Sequence, residues 1–384
     1  MEISETSIAI IGGGIAGLTA AIAFEKLGYQ VTVYEASKSI KPVGAGLGLA
    51  GNAIGAFRVL DIEKAVIAKG KLLENFPILN QQGRTIYSLY SERVKKRFGV
   101  ESFTIHRADL HATLISQLKQ TTIELNKRLT KIERVNEAYR LTFEDNSDTI
   151  CHYVIGADGI HSNTRKFIHP HSEVRFSGYV CWRAVTDNYF DIKKGSETWG
   201  KNGRVGIVPL ADNKIYWYVC LNSKEQKIST LTKDDLAKRF IDYHEPIYPL
   251  INSTTEKSLI YNPIIDLKPQ NTYTKQGVLL IGDAAHATTP NLGQGACQTI
   301  EDVATLYQLM QQAKDLQTAF KLFEKKRLKR THFIVNTSWK MGKIAQLESP
   351  LWIRLRDFLF KHLPERLNHK QLEKVVYNVD YQTN

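Results

Sequence analysis

Ile8–Gly17 reads IAIIGGGIAG and is followed by an apolar run, residues 18–27, and by Val31–Glu35, which ends in an acid. Apolar residues directly before three glycines predict a buried strand that enters a tight turn. The apolar run predicts a helix, and the β-branched segment after it predicts a second strand. Strand, glycine turn, helix, strand and acid in this order predict a dinucleotide-binding unit of an α/β protein.

The spaced glycines of this unit have separate expected roles. Gly12 permits the tight turn, Gly14 lets a pyrophosphate approach the backbone, and Gly17 lets the helix pack closely on the sheet. The helix N-terminus offers free N–H groups and a positive dipole end to phosphates. Glu35 lies 18 residues after Gly17, where its carboxylate can accept hydrogen bonds from ribose hydroxyls. On these residues alone, NAD and FAD both stay open.

Composition favours an ordinary soluble protein of two domains. The 384 residues are 43% hydrophobic and 23% charged, which is enough for a large core. The net charge of +12 comes from scattered basic residues. We interpret their one concentration, residues 325–330, as solvated helix surface, and no nucleic-acid-binding motif is visible. The cysteines form no CxxC pair, so we expect a reducing cytoplasm and neither a metal site nor a redox dithiol. They are Cys151, Cys181, Cys220 and Cys297.

The predicted elements change in character along the chain. Ile123–Leu129, Tyr139–Phe143 and Thr149–Ile155 are short strands separated by turn residues and predict a β-meander. Glycine-rich residues 41–49 predict a loop whose backbone approaches a flat ligand. A β-rich block interrupts the α/β pattern, so we expect a discontinuous first domain. The predicted parts are a Rossmann-like nucleotide-binding domain (1–72, 98–175 and 268–330), a β-rich substrate domain (73–97 and 176–267) and a C-terminal helical segment (331–384).

Two later stretches also follow predicted buried strands. In the first, Gly156-Ala157-Asp158-Gly159 predicts a turn that places an acid beside a cofactor, with an ordinary turn as the alternative. In the second, Asp283 follows the strand and can hydrogen-bond a sugar or ribityl hydroxyl. Gly293 and Gly295 then precede a helix whose N-terminus can stabilise negative charge, such as that of a reduced flavin. We interpret His286 as structural, because no nucleophile pattern accompanies it.

The three stretches in this order resemble the single-component flavin monooxygenases of the para-hydroxybenzoate hydroxylase type, and the resemblance covers nearly the whole chain. It implies a tightly bound, non-covalent FAD whose ADP half is held by the first stretch. Arg107 would reach the FAD phosphate, the backbone at Leu129 would lie by the adenine, and Asp283 would bind the ribityl and pyrophosphate region. The implied cofactor-binding residues are Gly12, Gly14, Ile15, Ala16, Gly17, Glu35, Ala36, Arg107, Leu129, Asp158, Asp283, Gly293, Gly295 and Ala296.

Within this family, several positions look like FAD-dependent urate hydroxylases. The match implies that Arg204 and Tyr216 hold the substrate, although a surface arginine and a core strand tyrosine are the alternatives. Asn291 stands where the urate enzymes carry an Asp, which argues against urate. The sequence Pro-Asn-Leu-Gly-Gln-Gly at 290–295 looks more like the zeaxanthin-epoxidase group. Salicylate-hydroxylase-like and tetracycline-inactivating enzymes are similar short members.

The resemblance also implies an activity. NAD(P)H would reduce FAD, and O2 would add at flavin C4a to give a hydroperoxide. One oxygen would then hydroxylate a small aromatic, heteroaromatic or polycyclic substrate while the other leaves as water. Residues 44–49 and 290–295 would flank the isoalloxazine. The alternatives are another FAD oxidoreductase on this fold, such as a halogenase or a reductase, and a non-catalytic protein that retains the fold.

The C-terminal part predicts a basic amphipathic helix over residues 351–363. Such a helix either caps its own domain or touches a membrane surface. We expect no stable membrane insertion, and either a monomer or a homodimer.

Overall fold

A computed structural model describes residues 6–39, 45–73, 75–88, 92–100, 102–224 and 231–382. These ranges form four sheets and a set of helices around them. The strands are β1 Ser7–Ile11, β2 Gln30–Tyr34, β3 Gly46–Ala50, β4 Lys71–Leu73, β5 Pro77–Asn80, β6 Thr85–Ser88, β7 Ser102–His106, β8 Thr122–Glu124, β9 Leu129–Val135, β10 Ala138–Phe143, β11 Asp148–Cys151, β12 Tyr153–Gly156, β13 Val174–Asp187, β14 Ser196–Gly200, β15 Gly203–Pro209, β16 Lys214–Asn222, β17 Ile260–Leu267, β18 Thr274–Lys275 and β19 Val278–Leu280.

The helices connect and cover these strands. They are α1 Ile15–Lys26, α2 Gly51–Val59, α3 Glu63–Ile67, α4 Glu92–Phe98, α5 Arg107–Ser116, α6 Asn163–Ile168, α7 Lys233–Arg239, α8 Ile247–Ser253, α9 Asp283–His286, α10 Gly295–Gln312, α11 Leu316–Ala345, α12 Pro350–Lys361 and α13 Glu365–Leu372, with a π-helix at Glu373–Tyr377. None of the helices in the described ranges is both long enough and apolar enough to cross a membrane.

The first sheet has the order β18-β19-β12-β1-β2-β8, and all its strands except β18 run parallel. β1 lies in the middle, and residues 8–11 are almost fully buried, as expected of a parallel strand covered on both faces. β1, α1 and β2 fall where the glycine pattern predicts them. The Rossmann-like α/β class is confirmed, and the carboxyl ends of β1, β12 and β19 meet at one edge of the sheet.

The β-meander is present, but the predicted strand Ile123–Leu129 is wrong. β8 ends at Glu124 and lies beside β2 in the first sheet, while Leu129 begins β9. Asn126 between them adopts a positive φ of 59°, which turns the chain away. The predicted strand Thr149–Ile155 is also divided, because β11 pairs with β10 and β12 pairs with β1. The meander is therefore β11-β10-β9.

A seven-stranded sheet, β17-β13-β16-β15-β14-β5-β6, forms the β-rich part. β5 and β6 come from residues 77–88, before the meander, so the chain enters this sheet twice. Successive side chains of a strand point to opposite faces, and one face packs under α7 and α8, where Trp182, Val205 and Trp217 are buried. Neither β14 nor α8 was predicted from the sequence. The proposed domain boundaries themselves stay a prediction.

The glycine-rich loop predicted over residues 41–49 is wrong in its second half. Gly46–Ala50 is β3, in the small sheet β3-β7-β4, while residues 40–44, including Gly44, lie outside the described ranges. Leu49 is buried in the core, whereas Gly46 faces the seven-stranded sheet. A Cβ at Gly46 would lie 2.6 Å from Cβ of Tyr216. Glycine is thus needed where the two sheets approach one another.

The C-terminal helices tie the two sheets together. α11 runs without interruption from Leu316 to Ala345, so the predicted boundary at residue 330 falls inside it. The residues after α13 return to the first domain, where the Tyr381 hydroxyl donates to the backbone oxygen of Asn52. The chain end is therefore part of the packing around α2 and α10.

Candidate active site

The turn after β1 has room for glycine alone at two of its positions. Gly12 has φ of 104°, and a Cβ there would lie 2.4 Å from the backbone oxygen of Ala157. A Cβ at Gly17 would lie 1.8 Å from the oxygen of Gly12. Gly14 differs, because a Cβ there would meet no atom within 4 Å. Open space therefore lies beside Gly14 at the N-terminus of α1, where a phosphate group fits.

Glu35 lies at the end of β2, beside the same turn. Its carboxylate accepts hydrogen bonds from the backbone N–H groups of Gly13 (2.7 Å) and Ser37 (2.8 Å). Burial alone would raise the pKa of Glu35, but these hydrogen bonds outweigh it and the pKa is lowered. The residue is a fixed carboxylate that is still half-exposed, and it can accept further hydrogen bonds from a ligand.

Asp283 begins α9 and faces the N-terminus of α1. The residue before it, Gly282, has φ of 57°, and a Cβ there would lie 3.2 Å from Cβ of Ala16. Asp283 is exposed, yet burial by the atoms around it raises its pKa. Asp283 is thus reached by solvent although many protein atoms surround it, as expected of a side chain at the floor of a cleft. Arg107, exposed at the start of α5, faces it closely enough to favour its charged form.

Asp158 and Leu129 have their polar groups engaged within the protein. The Asp158 carboxylate accepts from the Ser162 hydroxyl (2.5 Å) and from the backbone N–H of Thr164 (3.0 Å). The Leu129 carbonyl accepts from the Asn163 side chain at 2.8 Å. Both residues therefore shape the loop around the start of α6. Gly159, in the same turn, has open space where a Cβ would be.

The N-terminus of α10 opens toward the cleft as well. Gly293 has φ of 61°, and a Cβ there would meet no atom within 4 Å. Gly295 begins α10, and Ala296 packs against the core. Gln294, buried before the helix, accepts hydrogen bonds from Asn52 and Gln298, both at 3.0 Å. This helix end is held rigidly from behind while its front stays open.

A buried ionic network fixes these elements, and the sequence analysis missed it. Asp302 on α10 accepts from the Gly282 N–H (2.8 Å), from Nε2 of His286 (2.6 Å) and from Nε of Arg327 (2.7 Å). Arg327 also donates to Glu301 at 2.9 Å. His286 thus contacts Asp302 and positions the Gly282 turn, in keeping with a structural histidine. Arg327 is fully buried and Arg330 is 8% exposed, so the interpretation of residues 325–330 as solvated surface is wrong at these two positions.

The network keeps its acids ionised. Burial would raise the pKa of both Glu301 and Asp302, but their partners outweigh it and both values are lowered. For Glu301 the partners are Arg330 and Arg327, and for Asp302 they are His286 and Arg327. Charged hydrogen bonds of this kind are short and directional. They hold α10, α11 and the Gly282 turn in one arrangement behind the cleft.

Arg204, predicted to bind substrate, lies on the face of the seven-stranded sheet that is turned toward the cleft. It is 2% exposed, and three of its nitrogens already donate to protein groups. These are Oε1 of Gln346 (2.9 Å), Oε1 of Glu197 (3.1 Å) and Oδ1 of Asn291 (2.8 Å). Asn291 also accepts from the Tyr179 hydroxyl at 2.9 Å. Arg204 therefore links β14, β15, the 290–292 turn and the end of α11.

Tyr216 lies on the same face, nearer to β3. Cross-strand pairing places Arg183 opposite Tyr218 and Val185 opposite Tyr216, and directly paired residues share a face. The Tyr216 and Tyr218 rings lie 5.7 Å apart. Burial raises the pKa of Tyr216, while the charge of Arg183 opposes the rise. The result is a pair of protonated phenols beside a guanidinium.

Arg183 was missed from the sequence, because one arginine within a strand carries no motif. Its Nη2 donates to Oδ1 of Asn262 at 2.6 Å, but its buried Nε has no hydrogen-bond partner. A buried unpaired donor is costly and needs an acceptor. Among the arginines on this face, Arg204 has donors committed to protein groups, while the Nε of Arg183 has no protein partner.

These features define a class of protein. A nucleotide-binding α/β domain supplies an open cleft from Glu35 past Gly14 and Asp283 to Gly293, and a second sheet covers the far end with aromatic and cationic side chains. Among the described residues, no group of three or more His, Cys, Asp and Glu side chains could hold a metal ion. The glycine positions that stay open form a cradle that fits an extended dinucleotide such as FAD.

Comparison with known sequences identifies the family. The profile described as "FAD binding domain" matches residues 5–319, so the chain belongs to this family of FAD-binding proteins, and FAD is its cofactor. The chain is 30% identical to aurachin C monooxygenase/isomerase of Stigmatella aurantiaca, over 91% of this chain and 92% of the relative. It is 32% identical to 2-heptyl-3-hydroxy-4(1H)-quinolone synthase of Pseudomonas aeruginosa, over 93% and 94%.

Solved structures agree on the fold. The Klebsiella pneumoniae protein HpxO, solved with FAD and uric acid, superposes with a TM-score of 0.87 at 24% identity, covering 97% of each chain. A salicylate hydroxylase in complex with substrate superposes with a TM-score of 0.76 at 21% identity, covering 97% of this chain and 99% of that chain. The family match and the relatives above confirm the predicted resemblance to flavin monooxygenases.

Proposed function

We propose that the protein is an FAD-dependent monooxygenase that hydroxylates a heteroaromatic ring of the 4-quinolone type. In the overall reaction the substrate, O2, NAD(P)H and a proton give the hydroxylated substrate, NAD(P)+ and water. The observation that carries this proposal is the sheet face over the cleft, where Arg183, Tyr216 and Tyr218 present a guanidinium and two protonated phenols. That set suits an electron-rich ring with an oxygen substituent.

FAD would supply the redox chemistry, accepting two electrons from the nicotinamide and activating O2 for the transfer of one oxygen atom. The chain would bind its ADP half at the Gly14 turn and its ribose at Glu35. Arg107 and Asp283 would contact the phosphates and the ribityl chain, and the N-terminus of α10 would stabilise negative charge on the flavin ring. Asp158 would act by shaping its loop, because its carboxylate oxygens already accept hydrogen bonds.

On the substrate side, we assign different tasks to the two arginines. Arg183 would donate its free Nε–H to the ring oxygen of the substrate, next to the Tyr216 ring. Arg204 would hold Asn291 and Glu197 in place and so form the wall of the pocket. The two sheets, which approach closely at Gly46 and Tyr216, would exclude water from the reacting atoms. Water exclusion matters because activated oxygen in a wet site is lost as hydrogen peroxide.

One relative supports the choice of substrate class. The Pseudomonas aeruginosa enzyme, which aligns with this chain over 94% of its own length, is named for a 3-hydroxy-4(1H)-quinolone product. Asn291, which stands where the urate hydroxylases carry an Asp, also argues against urate as the substrate. We therefore expect hydroxylation at the carbon beside the ring carbonyl.

The test is a substrate screen with the FAD-loaded protein. NADH and NADPH are each offered with 2-alkyl-4(1H)-quinolones, urate, salicylate and tetracycline, and coenzyme oxidation is followed together with product mass. With 18O2, one labelled oxygen atom should appear in the quinolone product and urate should give none. Stimulated oxidation that yields only hydrogen peroxide with every compound would contradict the substrate class, and a protein that takes up no FAD would contradict the whole proposal.

A further inference from the structure

The outer face of α12 carries a stripe of exposed apolar side chains, which we call the α12 stripe. Residues 351, 355 and 358 recur at helical spacing, so they line up along one side of the helix. Each member is more than two-fifths exposed. The α12 stripe consists of Leu351 (72% exposed), Trp352 (56%), Leu355 (43%), Phe358 (58%) and Leu359 (56%).

This surface differs from the rest of the protein. Sixteen large apolar side chains are exposed in the described ranges, and eight of them fall within residues 344–367. The other eight are scattered over the molecule, as single exposed apolar residues usually are. Together the five members of the stripe present on the order of 500 Å² of apolar surface, which is as large as the biggest patch of a typical monomer and points to an interaction site.

The opposite face of α12 is anchored. Phe360 packs edge-on against Trp199, with ring centroids 5.6 Å apart, and against Tyr87 at 5.4 Å. Arg356 is 4% exposed and lies over the Trp199 ring at 5.0 Å. The helix therefore has its own packing face, and the stripe is a second face that points outward.

Cationic side chains border the stripe. Residues 340–370 hold seven lysines and arginines against three acidic residues. Asp357, the acidic residue within α12, is paired with Arg356 at 2.8 Å. Arg354 and Lys361 of α12 are exposed and form a cationic rim beside the stripe, and Arg366 and Lys370 on α13 are exposed as well.

The charge pattern decides between two occupants of this face. A second copy of the chain would dock through the same surface on both molecules, which would bring cationic rims together and weaken the contact. An anionic lipid surface offers the opposite charge to the rim and an apolar layer to the stripe. We infer that α12 lies on an anionic membrane surface with its apolar stripe inserted at the headgroup boundary.

The test is vesicle flotation of the FAD-loaded protein. It should float with vesicles that contain about one-third phosphatidylglycerol and stay largely unbound with pure phosphatidylcholine. Trp352 fluorescence should shift to the blue on binding, and Trp352→Phe should abolish that shift. Raising the salt should weaken binding, because the charge contribution is screened.

Paired variants separate this idea from self-association. Leu355→Glu/Phe358→Glu should lower vesicle partitioning at least tenfold, and Arg354→Glu/Lys361→Glu should lower it by about thirtyfold or more, from roughly 1 kcal/mol for each of the two cations near an anionic surface. Ile150→Glu, at an exposed position on β11, is the matched control and should bind normally. Flavin absorbance checks folding in every variant. A protein that never floats overturns the inference, and so does a dimer in sedimentation that Leu355→Glu/Phe358→Glu converts to a monomer.

Discussion

Replacing Arg204 by alanine removes the side chain that joins four elements around the pocket. The variant loses hydrogen bonds to Gln346, Glu197 and Asn291. The Glu197 side chain is only 12% exposed. In the variant it would still accept hydrogen bonds from Trp199 and Tyr218, but it would have lost its cationic partner. A carboxylate left inside the protein without its partner is the main cost of the change.

The expected loss of folding stability can be calculated to an order of magnitude. Breaking a buried pair by removing one partner costs about 3–5 kcal/mol. At roughly 2.1 cal/mol/K for each of the 384 residues, the unfolding entropy is about 0.8 kcal/mol/K. The two figures together predict a fall in Tm of about 4–6 °C. Adding Glu197→Gln removes the stranded charge and should recover about half of the loss, because the two sites are in contact and their effects are not additive.

The assay compares thermal unfolding, flavin absorbance and substrate-stimulated NAD(P)H oxidation in three proteins: the parent, Arg204→Ala, and Arg204→Ala with Glu197→Gln. FAD should stay bound, because its ADP half would be held at the Gly14 turn and Glu35, where Arg204 makes no contact. The stimulated oxidation should weaken as the pocket wall loosens. An unchanged Tm would refute the network argument, and unchanged kinetics would remove Arg204 from the site.

Three further predictions concern single positions. Gly14→Ala should weaken FAD binding in titration and leave the Tm of the FAD-free protein unchanged. Gly17→Ala should lower the Tm of the FAD-free protein, because a Cβ at Gly17 would lie 1.8 Å from the oxygen of Gly12. Equal effects of the two substitutions would contradict the separate roles of these glycines. The pKa of Glu35 is lowered in spite of its burial, so the stability that Glu35 contributes is complete above the ordinary value of 4.5 and is lost as the pH falls through the lower folded value. In the FAD-free protein, Glu35→Gln should therefore reduce the fall of Tm at acid pH. An unchanged dependence of Tm on pH would contradict this prediction. Arg183→Met should raise KM for the substrate at least tenfold while Tm and FAD binding are retained. A normal KM would show that the free Nε–H of Arg183 does not bind the substrate.

The nucleotide end of the site was predictable because it is local in sequence. Gly12, Gly14 and Gly17 lie within six residues, and each acts through backbone geometry that glycine alone allows or leaves open. The acid at position 35 follows one helix later, so its place beside the turn is set by a single right-handed strand–helix–strand crossover. Short-range patterns of this kind therefore predict both the fold and the class of ligand.

The substrate end was not predictable to the same degree. Arg183, Tyr218 and Gly206 lie together because β13, β16 and β15 pair in one register, and register between residues 12 and 35 positions apart leaves no local pattern. The ionic network is hidden for a similar reason. Arg327 stands in a run of cations that looks solvated, and only the packing of α11 on α10 buries it against Glu301 and Asp302.

This division has a consequence for how substrate choice is encoded. The FAD cradle is formed by backbone atoms and by glycines, and few substitutions fit at those positions. The sheet face is formed by side chains, and these can be exchanged without altering the backbone pairing of the strands. Gly206 illustrates the point, since a Cβ there would lie 2.0 Å from the Tyr218 ring and would turn the phenol without touching the cofactor. Exchanging a few residues on this face can therefore alter the substrate while the Gly12–Glu35 unit, which we propose binds the distant end of FAD, stays the same.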